Sequence, residues 1–279
     1  MTTWRPGDRA GFRSAGAAGA LRMLVKGLAI FAVTQAGLML LLALRLVERP
    51  LFGARRPVTP WITVWVCRLS LGIIGIRREV SGAPMHHAGA IVANHSSWLD
   101  IFVLNACGPV YFVSKAEVAR WPVVGWLARA TGTVFIARDP KAAKAQQRLF
   151  EARLRAGHRL LFFPEGTSTD GLRVLPFKPA LFAALYTHGL EHDVLIQPAT
   201  LVYRAPGHTD PRVYGWWGDM DFATHLGEVL AARRHGRVEV VFHGALAPDA
   251  FRDRKALAAA CEAAVREAHG VALGDMAES

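Results

Sequence analysis

The distribution of apolar and polar residues divides the chain into an N-terminal part and a larger α/β part. Residues 27–44 form an 18-residue stretch without a charge. At about 1.5 Å per helical residue, this length nearly crosses a hydrocarbon core of about 30 Å. A second apolar stretch, 61–76, is interrupted by Arg68. We therefore predict a helical hairpin in 27–80 that inserts into a membrane.

Two other structures are consistent with such an apolar stretch. A buried core helix has the same composition, and a cleaved signal peptide begins in a similar way. The stretch is longer than a usual signal-peptide core, and no clear A-x-A site follows it. Membrane insertion is therefore the favoured interpretation. Basic residues flank residues 27–44 on both sides, so their charge does not settle the orientation.

From residue 88 onward, short apolar runs alternate with helix-like segments, which is typical of α/β domains. The predicted strands are 89–93, 110–113, 133–136, 159–163, 194–203 and 237–243. The predicted helices are 99–106, 117–130, 141–156, 177–189, 221–235 and 252–269. The expected fold is a mixed, largely parallel sheet flanked by helices and preceded by an N-terminal membrane-associated helical segment. Its domains are a basic flexible arm (1–26), the hairpin (27–80) and an α/β domain (81–279).

Composition narrows the function classes. The net charge of +11, from 33 Lys and Arg against 22 Asp and Glu, fits either nucleic acid or an anionic membrane surface. No recognisable nucleic-acid-binding module accompanies it, so we expect membrane lipids and no nucleic acid as partners. The three cysteines form no C-x-x-C pair and lie in apolar segments, which predicts reduced thiols in the core.

The first candidate for chemistry lies where the predicted strand 89–93 meets a helix. His95 sits in this turn, and Asp100 lies in the first turn of the helix. Neutral imidazole is the usual base for removing a proton from a hydroxyl at neutral pH, and a carboxylate can orient it. G-x-S-x-G is absent. A base without an enzyme nucleophile indicates direct attack by a substrate hydroxyl. Taken alone, the pair is better explained by Asp100 capping a helix and His95 satisfying backbone groups.

Two further candidates follow predicted strands. Glu165, Gly166, Thr167 and Ser168 come after strand 159–163 and combine a carboxylate, exposed backbone amides and hydroxyls. Arg138 follows strand 133–136 and has the chemistry to hold a phosphate or carboxylate. An ordinary turn and a surface ion pair are the alternatives.

Taken together, these segments resemble the glycerolipid acyltransferases of the 1-acylglycerol-3-phosphate acyltransferase (PlsC-like) family. Asn94-His95 through Asp100 is similar to the family's NHx4D motif, and 132–138 and 163–167 resemble its second and third blocks. Residues 196–199 resemble the fourth block, and Lys115 with 121–125 lies where the family has a related segment.

The resemblance implies acyl transfer from acyl-CoA or acyl carrier protein to the free hydroxyl of a lysolipid. It implies His95 as general base, Asp100 as its partner, and acceptor or head-group contacts from Arg138, Glu165 and Gly166. Asn94, Lys115, Thr167 and Ser168 complete the candidate substrate-binding residues. We expect neither metal nor organic cofactor, and a location at the bacterial inner membrane with the catalytic domain on the cytoplasmic face.

One position departs from the family pattern. Ser168 stands where the third block usually continues with an arginine that binds phosphate. Loss of a charge-assisted contact worth about 1.5–3 kcal/mol weakens recognition of a phosphate monoester. The continuation 168–171 and the later 216–220 resemble the lyso-ornithine-lipid acyltransferase branch, so lyso-ornithine lipid and lysophosphatidic acid both remain candidate acceptors.

Three other functions are compatible with parts of the sequence. A metal-dependent hydrolase would use His95, Asp100 and Glu165 as ligands, but a second closely spaced ligand is missing. A membrane-tethered lipid-binding protein on the same fold would not need the His95–Asp100 pair. A basic DNA-binding protein would partition away from membranes after salt extraction.

Overall fold

The N-terminal hairpin consists of two antiparallel helices. A computed structural model describes residues 16–136, 143–187 and 189–277 and begins with helices α1 (Gly16–Phe52) and α2 (Thr59–Ile74). Lys26 Nζ donates to the Ile74 carbonyl over 2.7 Å, which joins the start of α1 to the end of α2. At the other end, Glu48 Oε1 accepts from Val58 N at 2.7 Å and Thr59 N at 3.1 Å. Glu48 thereby caps α2, which has no side-chain N-cap of its own.

The two helices differ in what they bury. Helix α1 is long and apolar enough to cross a membrane, and only 11% of its most apolar window is buried within the protein. In α2, Cys67, Leu71 and Ile74 are part of the core of the α/β domain. The hairpin therefore packs on that domain through α2 and through the first part of α1, where Arg22 donates to the Ala231 carbonyl, and it leaves most of the apolar surface of α1 exposed.

The α/β part contains one seven-stranded sheet with helices on both faces. Its strands are β1 (Arg77–Ser81), β2 (Gly89–Ala93), β3 (Tyr111–Lys115), β4 (Val134–Ile136), β5 (Arg159–Phe162), β6 (Leu195–Arg204) and β7 (Arg237–Phe242). Their order is β1-β7-β6-β2-β5-β3-β4. Only the β6–β7 pair is antiparallel among the described strand pairs. The predicted fold class, a mixed and largely parallel sheet, is confirmed.

Strand β1 was not predicted, because its sequence Arg-Arg-Glu-Val-Ser is polar and mostly exposed. It is held by parallel pairing with β7 along five residue pairs. Since β1 covers 77–81, it crosses the predicted boundary between 27–80 and 81–279 and connects the hairpin directly to the sheet.

The helices of the domain are α3 (Leu99–Cys107), α4 (Val124–Thr131), α5 (Ala143–Arg155), α6 (Phe222–Ala231) and α7 (Arg254–Ala277). The prediction of one helix over 117–130 was wrong: a 3-10 turn, Ala116–Arg120, precedes α4, and Val123 between them has φ 61°. The predicted helix 177–189 was also wrong, because Pro179–Tyr186 forms 3-10 turns.

The strand β2 lies at the centre of the core. All five of its residues are buried, with Ile91 and Ala93 facing the cluster that includes α2, α3 and α6. Ala90 and Val92 face the opposite cluster, which includes α5 and α7. The three cysteines are free thiols, and burial raises the pKa of Cys261 to about 12. A strand buried on both faces explains the continuous apolar run in the sequence and fixes the position of the turn that follows it.

Candidate active site

The turn between β2 and α3 brings His95 and Asp100 into direct contact. Nδ1 of His95 lies 2.7 Å from Oδ2 of Asp100. The same oxygen accepts hydrogen bonds from Ser96 N at 2.8 Å and Ser97 N at 3.0 Å. Main-chain donors at the start of α3 therefore fix the carboxylate, and an ionised carboxylate can only accept, so Nδ1 is the protonated nitrogen of a neutral His95.

Tyr203 provides the remaining contact of this carboxylate. Its hydroxyl donates to Oδ1 of Asp100 over 2.7 Å from β6, and Asp100 is fully buried. Burial and the neighbouring carboxylate hold the pKa of Tyr203 well above its usual range, so the hydroxyl remains a donor. Sequence reasoning missed Tyr203, because it lies 103 positions from Asp100 and has no local motif.

The imidazole of His95 is oriented by an aromatic neighbour. Phe163, directly after β5, stacks on it with ring centroids 4.0 Å apart and planes at 10°. The side chain of His95 keeps 19% of its surface exposed. Among the described residues, none hydrogen-bonds Nε2. The arrangement presents Nε2 as an accessible proton acceptor on a ring held at its other nitrogen.

Glu165 supports the main chain of this turn. Its Oε1 accepts from His95 N at 2.7 Å and its Oε2 from Leu175 N at 2.8 Å. The side chain is 1% exposed, and burial raises the pKa of Glu165 to about 8 although both amide donors lower it. Both carboxylate oxygens of Glu165 therefore hold the main chain around His95, and its contact with the acceptor stays a prediction.

This raised pKa predicts a pH-dependent stability. A carboxyl whose pKa rises on folding, here from 4.5 to about 8, stabilises the fold below pH 4.5 and loses that contribution as pH rises through 8. In Glu165→Gln the group is absent, and the new amide faces an N–H donor. We expect the variant to be less stable than the wild type at pH 5, and the difference to narrow by pH 9. Urea unfolding of the full chain in uncharged detergent at both pH values measures this, and a constant or widening difference contradicts it.

Gly166 allows a lysine to approach the turn after β5. Its φ is +71°, and a Cβ there would lie 2.6 Å from Lys178 Nζ. Lys178 Nζ donates to the Glu165 carbonyl over 2.7 Å. Thr167 is half-buried and Ser168 is buried. Sequence reasoning did not include Lys178, which brings a cation to this turn from 12 residues beyond Gly166.

The remaining predicted substrate-binding residues do not form one cluster with His95 within the residues that the structure describes. Asn94 is buried and exchanges two hydrogen bonds with the main chain of Leu201, at 2.9 and 2.8 Å, so it joins β2 to β6 and supports the turn. Lys115 is exposed at the end of β3. Arg138 lies outside the described residues.

Two loops are fixed to the His95 turn by main-chain hydrogen bonds. Thr169 N donates to the His95 carbonyl at 2.9 Å, and Trp216 N donates to the Ser96 carbonyl at 2.8 Å. Trp216 makes an edge contact with Trp121, with centroids 6.3 Å apart. The segments 163–171 and 216–220, which are far apart in the sequence, therefore both border the same turn.

The geometry also bears on the alternative metal site. In the described part of the chain, no three His, Cys, Asp or Glu side chains form a group suited to a metal ion. Both oxygens of Asp100 and of Glu165 accept hydrogen bonds from N–H or O–H donors. Metal ligation by His95, Asp100 and Glu165 would displace these donors, so the three residues do not fit a metal centre as arranged.

Comparison with known proteins agrees with the geometry. Residues 54–202 match the family model described as Acyltransferase. The chain is 63% identical over 253 residues to a lyso-ornithine lipid O-acyltransferase of Rhodobacter capsulatus, covering 91% of this chain and 92% of that protein. It is 36% identical to a lyso-ornithine lipid O-acyltransferase of Pseudomonas aeruginosa, covering 88% and 93%.

A solved structure shares the fold. The crystal structure of the 1-acyl-sn-glycerophosphate (LPA) acyltransferase PlsC from Thermotoga maritima superposes with a TM-score of 0.64, covering 90% of this chain and 96% of that one. The sequence identity is 20%, so this likeness concerns the fold alone.

Proposed function

Since the chain belongs to the Acyltransferase family, we propose that it transfers a fatty acyl group from a thioester to the free hydroxyl of lyso-ornithine lipid. The observation that carries the proposal is the His95–Asp100 pair, with Nδ1 held at 2.7 Å and Nε2 accessible. This is the geometry that a general base requires when the nucleophile belongs to the substrate.

In the proposed reaction, Nε2 of His95 takes the proton of the lysolipid hydroxyl as its oxygen attacks the thioester carbonyl carbon. An ester C–O bond forms and the C–S bond breaks. The departing thiolate then takes the proton from the imidazolium, which restores neutral His95. Asp100 stabilises the imidazolium between these steps because its charge lies against Nδ1.

The acceptor is proposed from two observations. Similarity to lyso-ornithine lipid O-acyltransferases extends over nine-tenths of the chain. Position 168 is a buried serine, so it offers no cation for a phosphate monoester. Lysophosphatidic acid is the competing acceptor, and Lys115 and Lys178 are cations of the described chain near the ends of β3 and β5.

Acyl-CoA and acyl carrier protein are both compatible donors, because the mechanism uses only the thioester. We propose that no metal and no organic cofactor take part, since His95 and the substrates supply every proton and bond in the scheme. The proposed location is the bacterial inner membrane with the α/β domain on the cytoplasmic face. The exposed apolar surface of α1 supports membrane attachment, and a lysolipid acceptor would reside in the same bilayer.

The proposed acceptor predicts that the enzyme prefers lyso-ornithine lipid to lysophosphatidic acid, and that a substitution at position 168 changes this preference. Purified wild-type protein, given labelled acyl donor with equal lyso-ornithine lipid and lysophosphatidic acid, is expected to acylate mainly the former. Ser168→Arg is expected to raise the ratio of lysophosphatidic acid to lyso-ornithine lipid product by about 10-fold or more, from a charge-assisted contact. Ser168→Gln adds bulk without charge and serves as the matched control. An unchanged ratio in Ser168→Arg contradicts the role of position 168, whereas a wild-type preference for lysophosphatidic acid contradicts the proposed acceptor.

A further inference from the structure

A cleft lies at the end of the sheet where β3 and β5 begin, opposite the end that carries His95. Its volume is about 370 Å³, and its lining includes Phe52, Arg56, Tyr111, His158 and Arg159. Tyr111 and Arg159 begin the parallel strands β3 and β5, whereas Phe163, which stacks on His95, follows the end of β5. The length of these strands therefore separates the cleft from the candidate active site.

Arg56 is one of three arginines that line this cleft, with Arg55 and Arg159. Its side chain is partly buried and lies 5.8 Å from the centre of the Tyr111 ring, but it makes no hydrogen bond or ion pair with any residue in the described ranges. The carboxylate whose charge reaches it is Glu48, but Glu48 oxygens already accept from Arg45, Val58 and Thr59. A partly buried guanidinium without its own anion is costly, because burial removes water without supplying a counter-charge.

A second guanidinium lies beside the first. Arg56 Nη1 and Arg153 Nη2 lie 2.6 and 3.2 Å from the point where a Cβ on Gly132 would stand. Arg153 donates to the Gly132 carbonyl at 2.8 Å and lies 4.4 Å from the centre of the Tyr111 ring, and its buried Nε has no partner in the structure as described. Burial and the neighbouring Arg56 lower the pKa of Arg153 to about 10. Two like charges held together in this way favour an anion between or beside them.

The polar groups around the cleft are donors or neutral. Tyr111 and His158 are each 5% exposed. Neither ring nitrogen of His158 makes a hydrogen bond of normal geometry, although the Ala54 carbonyl favours its protonated form. Burial is the main cause that lowers the pKa of His158 to about 4, and the charges of Arg153 and Arg56 act in the same direction. The lining contains no aspartate or glutamate.

We infer that this cleft binds a phosphate group, with Arg56 as its principal ligand and the charge of Arg153 beside it, and that the phosphate is that of an anionic membrane lipid. Planar guanidinium groups match phosphate oxygens well. The position of the cleft at the end of α1 indicates that the phosphate belongs to a lipid. Phe52, the last residue of α1, lines the cleft and is 49% exposed, and Leu51 beside it is 69% exposed. Acyl chains of a bound lipid would meet the apolar surface of α1, and anionic lipids concentrate at the membrane surface. The inference does not depend on which acceptor the enzyme uses.

Thermal unfolding of the full chain in uncharged detergent, followed by Trp fluorescence, tests this inference. Short-chain phosphatidylglycerol is expected to raise the wild-type midpoint in a saturable way, because it binds the folded state. Arg56→Gln is expected to weaken its apparent affinity at least about 10-fold, from the loss of a charge-assisted contact. Arg252→Gln, at a side chain 85% exposed and next to Asp253, is the matched control and should bind as the wild type does.

The unliganded proteins give a second readout. If Arg56 is part of an anion site, Arg56→Gln removes its repulsion with Arg153 and leaves the thermal unfolding midpoint of the unliganded protein unchanged or higher. A large drop in that midpoint would assign Arg56 a purely structural role and overturn the inference. Inorganic phosphate, used as a separate probe, distinguishes a lipid head group from free phosphate. If phosphate alone stabilises the protein equally and this stabilisation needs Arg56, the phosphate site is kept but the lipid source is rejected. Absence of saturable stabilisation of the wild-type protein by either probe overturns the site, whatever the variants do.

Discussion

Replacing His95 by alanine is expected to lower the rate of acyl transfer by at least about 10³-fold, because it removes the proposed base and no neighbouring group replaces it. The fold should survive. The main-chain bonds from His95 N to Glu165 and from Thr169 N to the His95 carbonyl do not involve the ring. Asp100 also keeps its contacts with Ser96, Ser97 and Tyr203.

The measurement is acyl transfer to lyso-ornithine lipid by detergent-purified protein, with the unfolding midpoint measured on the same preparation. The chain offers a matched control in His192, which contacts Asp249 at 3.0 Å but has a side chain 67% exposed. His192→Ala should retain the wild-type rate. Full activity in His95→Ala would exclude the base mechanism. Lack of transfer by the wild-type protein with every lysolipid and donor tested would favour the lipid-binding alternative.

Replacing Asp100 by asparagine is expected to have the second-largest effect, a loss of about 10²-fold. The orientation of the new amide follows from its neighbours. The N–H groups of Ser96 and Ser97 and His95 Nδ1 surround one oxygen position, so the amide oxygen must occupy it. The amide nitrogen then faces the Tyr203 hydroxyl, which can rotate to accept. The variant keeps the imidazole orientation and loses the negative charge that stabilises the imidazolium.

Two readouts separate this loss of charge from a loss of structure. In Asp100→Asn the rate should fall while the unfolding midpoint changes little, since the hydrogen bonds around this side chain are kept. Tyr203→Phe supplies the opposite case. It leaves a buried carboxylate oxygen without its donor, at a cost of about 1–3 kcal/mol in stability, and should lower the rate less than Asp100→Asn. An Asp100→Asn protein with wild-type activity would reduce Asp100 to a helix cap.

Several features of the molecule were determined within short stretches of sequence. All five residues of the run 89–93 are apolar, on both faces of the strand that they form, so this strand is buried on both faces. The polar residues that follow end it, and Asp100, five positions after His95, reaches back to main-chain N–H groups at the start of α3. Local periodicity likewise indicated the long apolar helix and most of the other strands, because burial of one face leaves its period in the sequence.

Local patterns failed where another part of the chain decides the conformation. β1 is polar and becomes a strand only through pairing with β7. The predicted helix 117–130 is a different case, because Pro122 is a local helix breaker: Trp121 before it is extended, and Val123 adopts φ 61° between a 3-10 turn and α4. The direction of β6 against β7 also left no local signal, since an antiparallel and a parallel neighbour bury the same side chains.

The candidate site likewise contains contacts that are local in the sequence and contacts that depend on the tertiary structure. The sequence by itself determined the His95–Asp100 pair, because both residues belong to one turn whose hydrogen bonds span only a few positions. Only the tertiary structure decided that Tyr203 completes the carboxylate, that Glu165 faces inward to hold His95, and that Arg56 lies beside Arg153. These contacts join residues 70 or more positions apart, and their partners are chosen by sheet pairing and helix packing, which a linear pattern of residues does not record.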